Sequence, residues 1–123
     1  MILRLFVYNS NLDVTNEITI VTASDNVVLD DCIAYKCGNI VNLLIHFHPS
    51  SKITFNDSPI TFRFALNKYK PVVGINAAAY TGTYAAIGFI DSNGNISVRM
   101  TESQGYIDKN YDISMRFSYI AVK

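Results

Sequence analysis

Ile40-Val41-Asn42-Leu43-Leu44-Ile45-His46-Phe47-His48 is the stretch that decides the fold. Val41, Leu43, Ile45 and Phe47 fall on one side of an extended chain and Asn42, Leu44, His46 and His48 on the other, because successive strand side chains point to opposite faces. The first set faces a core. A helix would instead need apolar residues at i, i+3 and i+4, and that pattern is sustained for three turns nowhere in the chain. The same period of two closes the sequence, where Ile113, Met115, Phe117, Tyr119 and Ala121 share one face of residues 113–122. It recurs in residues 60–66, where Ile60, Phe62 and Phe64 alternate with Thr61, Arg63 and Ala65.

Outward from these three, strand signals cover residues 2–8, 17–23, 27–29, 32–36, 72–78, 84–90 and 96–100. Between them lie turn residues such as Ser24-Asp25-Asn26, Cys37-Gly38-Asn39 and Asn56-Asp57-Ser58-Pro59. Ala79-Tyr80-Thr81-Gly82-Thr83 reads as a small-residue loop. Asp91-Ser92-Asn93-Gly94-Asn95, set between two apolar runs, predicts a hairpin, since Asn-Gly supplies the positive φ angles such turns need. About ten short strands at regular spacing predict an all-β chain, an antiparallel β-sandwich of jelly-roll-like kind.

The chain has 123 residues, the size of one domain, so residues 1–123 are read as a single sandwich with no internal boundary. Half the residues are apolar and 16% are charged, against roughly 25% in average soluble domains. A surface so poor in charge points to cover by a partner. Residues 2–8 strengthen this: Leu3, Leu5 and Val7 lie on one face and Ile2, Phe6 and Tyr8 on the other. An antiparallel strand normally leaves one face to water, so self-association is expected.

Ten basic and ten acidic residues cancel, with neither sign gathered into a run. Nucleic acid is therefore not expected as a partner. No apolar run is long enough to cross a bilayer, and the first eight residues lack the basic start and cleavage site of a signal peptide, so synthesis in the cytoplasm and no membrane insertion are expected. Cys32 and Cys37 have neither redox nor zinc-site spacing and are read as reduced.

An ordered succession of pieces in the last two-thirds of the chain resembles a known family. Tyr35-Lys36-x-Gly38-Asn39-Ile40-Val41 is followed by Tyr69-Lys70-Pro71, by Ile87-x-Phe89-Ile90 with a turn leading to Ile96-x-Val98, and by a closing Ser118-Tyr119-Ile120. This order is similar to that of the C-terminal receptor-binding (head) domains of bacteriophage tail-fibre and baseplate proteins, with Lys70 where arginine is usual. The resemblance implies a homotrimeric β-sandwich at the tail tip of a virion, in contact with other tail proteins. It also implies a loop or inter-subunit groove that grips a host cell-surface glycan or protein. In the resembling proteins a shaft or anchor comes first, so the chain is expected to be a trimmed fragment or a separately encoded small tail protein.

Chemistry-bearing motifs point away from catalysis: there is no G-x-S-x-G, no H-E-x-x-H, no phosphate loop and no cysteine with a histidine partner. Asp57, Asp91, Asp108 and Asp112 could in principle pair for glycoside hydrolysis, but each sits in a turn signal that accounts for it. His46 and His48, two apart on one strand face, have a chelating spacing, and three copies around a threefold axis could close a site. The solvated face of a half-buried strand is the more usual reason for such a pair, and no Asp, Glu or Cys nearby in sequence completes a set. No metal and no cofactor are expected. For ligand binding the candidates are Tyr80 and Tyr84 flanking one loop, and Tyr106 and Tyr111 flanking another with Asp108 and Asn110 between them. A tyrosine ring suits the C–H face of a sugar, while carboxylate and amide groups partner its hydroxyls. Against that stands the reading that these tyrosines cap the core. The expected function is thus a non-catalytic receptor-binding head. A purely structural virion module, or a monomeric carbohydrate-binding module, is the alternative.

Overall fold

In the computed structural model, residues 11–81 and 84–122 are described. The strand expected at residues 2–8 lies outside them. Among the described residues, nine strands form an antiparallel β-sandwich and two more a small ribbon, confirming the all-β reading. One sheet has the order β1-β3-β4-β11, from β1 (Asn11–Asp13), β3 (Val27–Cys37), β4 (Ile40–Pro49) and β11 (Ile113–Ile120). The second has the order β2-β6-β9-β8-β7, from β2 (Ile20–Thr22), β6 (Thr61–Leu66), β9 (Asn95–Met100), β8 (Tyr84–Ile90) and β7 (Ile75–Thr81). A two-stranded ribbon joins β5 (Ile53–Thr54) to β10 (Tyr106–Ile107).

The alternation in β4 is realised as written: Val41, Leu43, Ile45 and Phe47 are buried and Asn42 to His48 on the opposite parity are exposed or half-buried. β11 does the same, burying Ile113, Met115, Phe117 and Tyr119. The sheets meet through aromatic rings, Phe47 lying 5.4 Å from Phe62 and 4.9 Å from Phe64 in tilted geometry. Such pairs add to the large apolar area each ring removes from water. On the far side Gly88 of β8 lets the layers approach closely, since a Cβ there would come within 2.8 Å of Phe117 Cζ. The layers are also tied by backbone. Pro71 bridges Ala121, and Val72 N–H donates to the Ile120 carbonyl at 2.9 Å.

Four sequence readings are corrected by the structure. Residues 27–29 and 32–36 are not two strands but one, β3, which runs through Asp30-Asp31 by a β-bulge between Leu29 and Asp31. Second, the strand expected over 17–23 is reduced to Ile20–Thr22, because Thr15–Glu17 form a 3₁₀ turn. The strand expected from Val72 begins at Ile75, while Val72 and Val73 are exposed. Lastly, Ala79-Tyr80-Thr81 is not loop, since β7 pairs with β8 as far as Thr81 opposite Tyr84. The hairpin at 91–95 is present, but only Gly94 among its residues has positive φ, at +87°. Gly94 N–H donates to the Asp91 carbonyl and Asp91 N–H to the Asn95 carbonyl, each at 3.0 Å. That is a four-residue turn ending in a left-handed glycine.

Cys32 and Cys37 lie on the one extended strand β3, opposite Ile45 and Ile40 respectively. Five residues at about 3.3 Å each keep their thiols too far apart to bond to each other. No helix among the described residues is long and apolar enough to cross a membrane.

Candidate functional site

The bulge in β3 determines what the outer face of the first sheet presents. Before it, Val27 and Leu29 point toward the core. One extra residue, Asp30, shifts the parity, so that after it Cys32 and Ala34 point inward and Asp31, Ile33 and Tyr35 outward. If the same sequence ran on as a regular strand without the bulge, Asp31 would face the core, and burying an unpaired carboxylate costs several kcal/mol. The bulge therefore keeps the inner face apolar and sets two successive carboxylates on the outside.

Those carboxylates meet the two histidines of β4. Asp31 is paired directly with His46, and Val28 with His48. His48 Nδ1 is 2.9 Å from Asp30 Oδ2. An ionised carboxylate can only accept, so this contact is a hydrogen bond when the imidazole carries a proton on Nδ1. His46 Nε2 lies 3.4 Å from Asp112 Oδ1 and 4.0 Å from Asp30 Oδ2, and its Nδ1 lies 3.8 Å from Asp31 Oδ1. Asp112 arrives from the connection that follows β10 and enters β11. Asp30, Asp31, His46, His48, Asn110 and Asp112 thus line one open groove of about 400 Å³. Three of the six are carboxylates and none is lysine or arginine, which makes the groove electronegative whenever the imidazoles are neutral.

The six residues singled out from sequence divide between packing and surface. The ring of Tyr84, half-buried at the start of β8, lies 5.9 Å from Phe55 and 5.4 Å from Tyr111, both edge-on. Its hydroxyl donates to the Tyr106 carbonyl at 2.8 Å. Tyr84 and Tyr111 pack against the core, so for these two the core-capping reading holds. Their packing has a use: it anchors the loop that delivers Asn110 and Asp112. Asp108 stabilises the same loop, its backbone carbonyl accepting from Tyr111 N–H at 3.2 Å and its carboxylate from Lys109 N–H at 3.2 Å. Tyr106 is exposed on the β5–β10 ribbon, with the Lys52 ammonium 4.1 Å from its ring centroid. Asn110 is exposed and lines the groove. Tyr80 lies in β7 opposite Ala85, and its side chain is outside what the structure describes. The structure therefore brings Tyr84 of β8 against Tyr111 and the backbone of Tyr106 in β10, and sends Asn110 to the histidines.

Of the carboxylates weighed for hydrolysis, three serve turns. Asp91 accepts from the backbone N–H groups of Asn93 and Asn95, both at 2.9 Å. Asp108 holds its own loop, and Asp57 accepts from the Gln104 amide. Asp112 is the exception. Sequence reasoning missed Asp30 and Asp31 entirely; the one signal for them was an Asp-Asp pair interrupting two strand-like runs of matched composition.

Compared with protein-family models, with curated proteins and with solved structures, the chain matches none.

Proposed function

We propose that the chain is a non-catalytic receptor-binding head of a phage or prophage tail fibre or baseplate, and that its ligand is a host-surface saccharide held at the Asp30–His46–Asp112 groove. The observation that carries this reading is the convergence of six polar side chains, from β3, β4 and the loop before β11, around one open depression of about 400 Å³. Carboxylates, an amide and imidazoles together supply the donors and acceptors that sugar hydroxyls need. Tyr106, exposed on a ribbon that leads into the same loop, offers a ring for stacking. The acidic lining favours a neutral or amine-bearing sugar and disfavours sialylated or phosphorylated ones.

The homotrimer expected from sequence is part of the proposal, and the other end of the same outer face supports it. Ile33, Tyr35, Leu44 and Arg116 surround a depression of about 260 Å³, and Ile40 and Ile120 beyond it are 49% and 60% exposed. Burying such side chains between copies contributes about 1.5–3 kcal/mol each, enough to hold subunits together when several meet. A virion tail tip, with other tail proteins as neighbours, is the location this reading assigns.

A glycan array probed with the purified protein tests the ligand, and light scattering at tens of micromolar tests the assembly. The proposal expects trimer mass and retention on neutral or amino-sugar glycans, lost in Asp112→Asn and weakened in Tyr106→Ala. A trimer that binds no glycan would make the chain a structural module, and a glycan-binding monomer would make it a free-standing carbohydrate-binding module. Either result overturns the head-domain reading.

A further inference from the structure

We infer that Asp30, His46 and Asp112 form a site for one divalent transition cation of the zinc type on the floor of this groove. The inference stands on side-chain geometry and does not rest on the saccharide reading. Each of the three residues offers one ligand atom, and these atoms lie within 4.8 Å of one another. Zinc holds imidazole nitrogen and carboxylate oxygen at roughly 2.0–2.2 Å, which sets tetrahedral ligand atoms about 3.4 Å apart. The His46 Nε2 to Asp112 Oδ1 separation is already 3.4 Å, and Asp30 Oδ2 stands 4.0 Å from the same nitrogen. Asp112 is exposed, so rotation of its side chain closes the gap toward Asp30, whose Oδ2 stays on His48 Nδ1.

Two further features point to a cation. The groove gathers three carboxylates with no lysine or arginine in its lining, so positive charge is what the local arrangement lacks. The groups behind the ligands also stand where orienting partners of a metal site stand. With Nε2 directed at the metal, His46 turns Nδ1 toward Asp31 Oδ1, 3.8 Å away. At 3.8 Å this is an approach of opposite groups and not yet a hydrogen bond; shortened on metal binding, a carboxylate at that position would fix the ring and raise its basicity. Asp30 is steadied in the same way by the Nδ1–H of His48 at 2.9 Å. Asp31 and His48 are therefore positioning residues and the other three the ligands. One nitrogen with two carboxylates suits a borderline cation such as Zn²⁺ or Co²⁺. Ca²⁺ seeks six to eight oxygens, and would leave the imidazole unused. Three protein ligands leave a coordination position facing the open groove, available to water or to a ligand hydroxyl.

The test is calorimetric titration of ZnCl₂ into the chelator-stripped full chain near pH 7, repeated with variants whose folding is checked by circular dichroism. The expected result is one saturable site per chain, weakened at least tenfold in His46→Gln and in Asp112→Asn. Asp31→Asn should weaken it about tenfold through loss of orientation, and Asp57→Asn, on a turn outside the groove lining, should leave it unchanged. Co²⁺ added to the unmodified protein should give visible d–d absorption that ZnCl₂ abolishes. Absence of saturable binding, or binding that H46Q and D112N leave intact, would overturn the site whatever the glycan array reports.

Discussion

On the inner face of the β3–β4–β11 ladder, Leu29, Phe47 and Ile113 form one row and Cys32, Ile45 and Met115 the next. On the outer face the matching positions are Val28 and His48 in one row and Asp31, His46 and Ser114 in the next. The backbone is common to both, and the hydrogen-bond ladder is indifferent to which side chains it carries. What differs is tolerance. The inner rows are closed by the second sheet and must match it in volume, because protein interiors pack at crystal-like density. The outer rows meet solvent, so they are free to hold charge, and at the His46 end they do. One strand can thus carry stability and binding in alternate residues, provided that the register never slips by one.

The largest effect that would break this comparison is Phe47→Ala set against His46→Ala. Phe47 is fully buried between Phe62 and Phe64, and removing its ring should cost about 3–5 kcal/mol in urea unfolding. His46→Ala, one residue away, should change stability by less than about 0.5 kcal/mol while abolishing zinc binding. Equal costs at the two positions would mean that the outer face is structural.

The next effect tests whether the opposing layer is as rigidly specified. A Cβ on Gly94 would lie 2.4 Å from the Leu66 carbonyl oxygen, at a φ of +87° that side chains avoid. Gly94→Ala should therefore cost about 2–3 kcal/mol by thermal or urea unfolding. It should leave zinc affinity unchanged, since the turn belongs to the second sheet.

The smallest effect concerns the same turn at acid pH. Burial acts to raise the Asp91 carboxyl, but hydrogen bonds from Asn95, Asn93 and Gly94 outweigh it and hold the group below its ordinary value of 3.8. A depressed folded value means that the ionised group stabilises the fold fully above that ordinary value, and that this is lost as pH falls through the folded value. Unfolding followed from pH 7 to pH 2 should show a slightly smaller acid loss for Asp91→Asn than for the unmodified protein. The difference should be under about 1 kcal/mol, because the group is largely solvated. An identical acid profile would remove the carboxylate from the turn's energetics.

The inner faces were legible in the sequence because period-two burial writes itself directly into residue order, as in Val41 to Phe47 and Ile113 to Tyr119. The hairpin at 91–95 was legible because only a few residue types tolerate its backbone. β3 was not, since Asp30-Asp31 has the composition of a turn and only the pairing with β4 shows that it is a bulge. Val72 and Val73 misled for the converse reason: strand-like residues beside Pro71 lie exposed where the chain crosses between sheets. Of the site, Asn110 and the tyrosines that anchor its loop were legible as loop chemistry, and the histidines as a spacing. The set as a whole was hidden, because Asp30, His46 and Asp112 are brought together by strand pairing and by a loop packed on Tyr84.

The central claim, that the polar end of the outer face is a cation-holding binding site, is tested most directly by anomalous diffraction at the zinc edge from crystals grown with equimolar ZnCl₂. The account predicts a single strong peak within about 2.0–2.2 Å of His46 Nε2 and of carboxylate oxygens of Asp30 and Asp112. A map with no peak there, or with its strongest peak at another set of side chains, would contradict it.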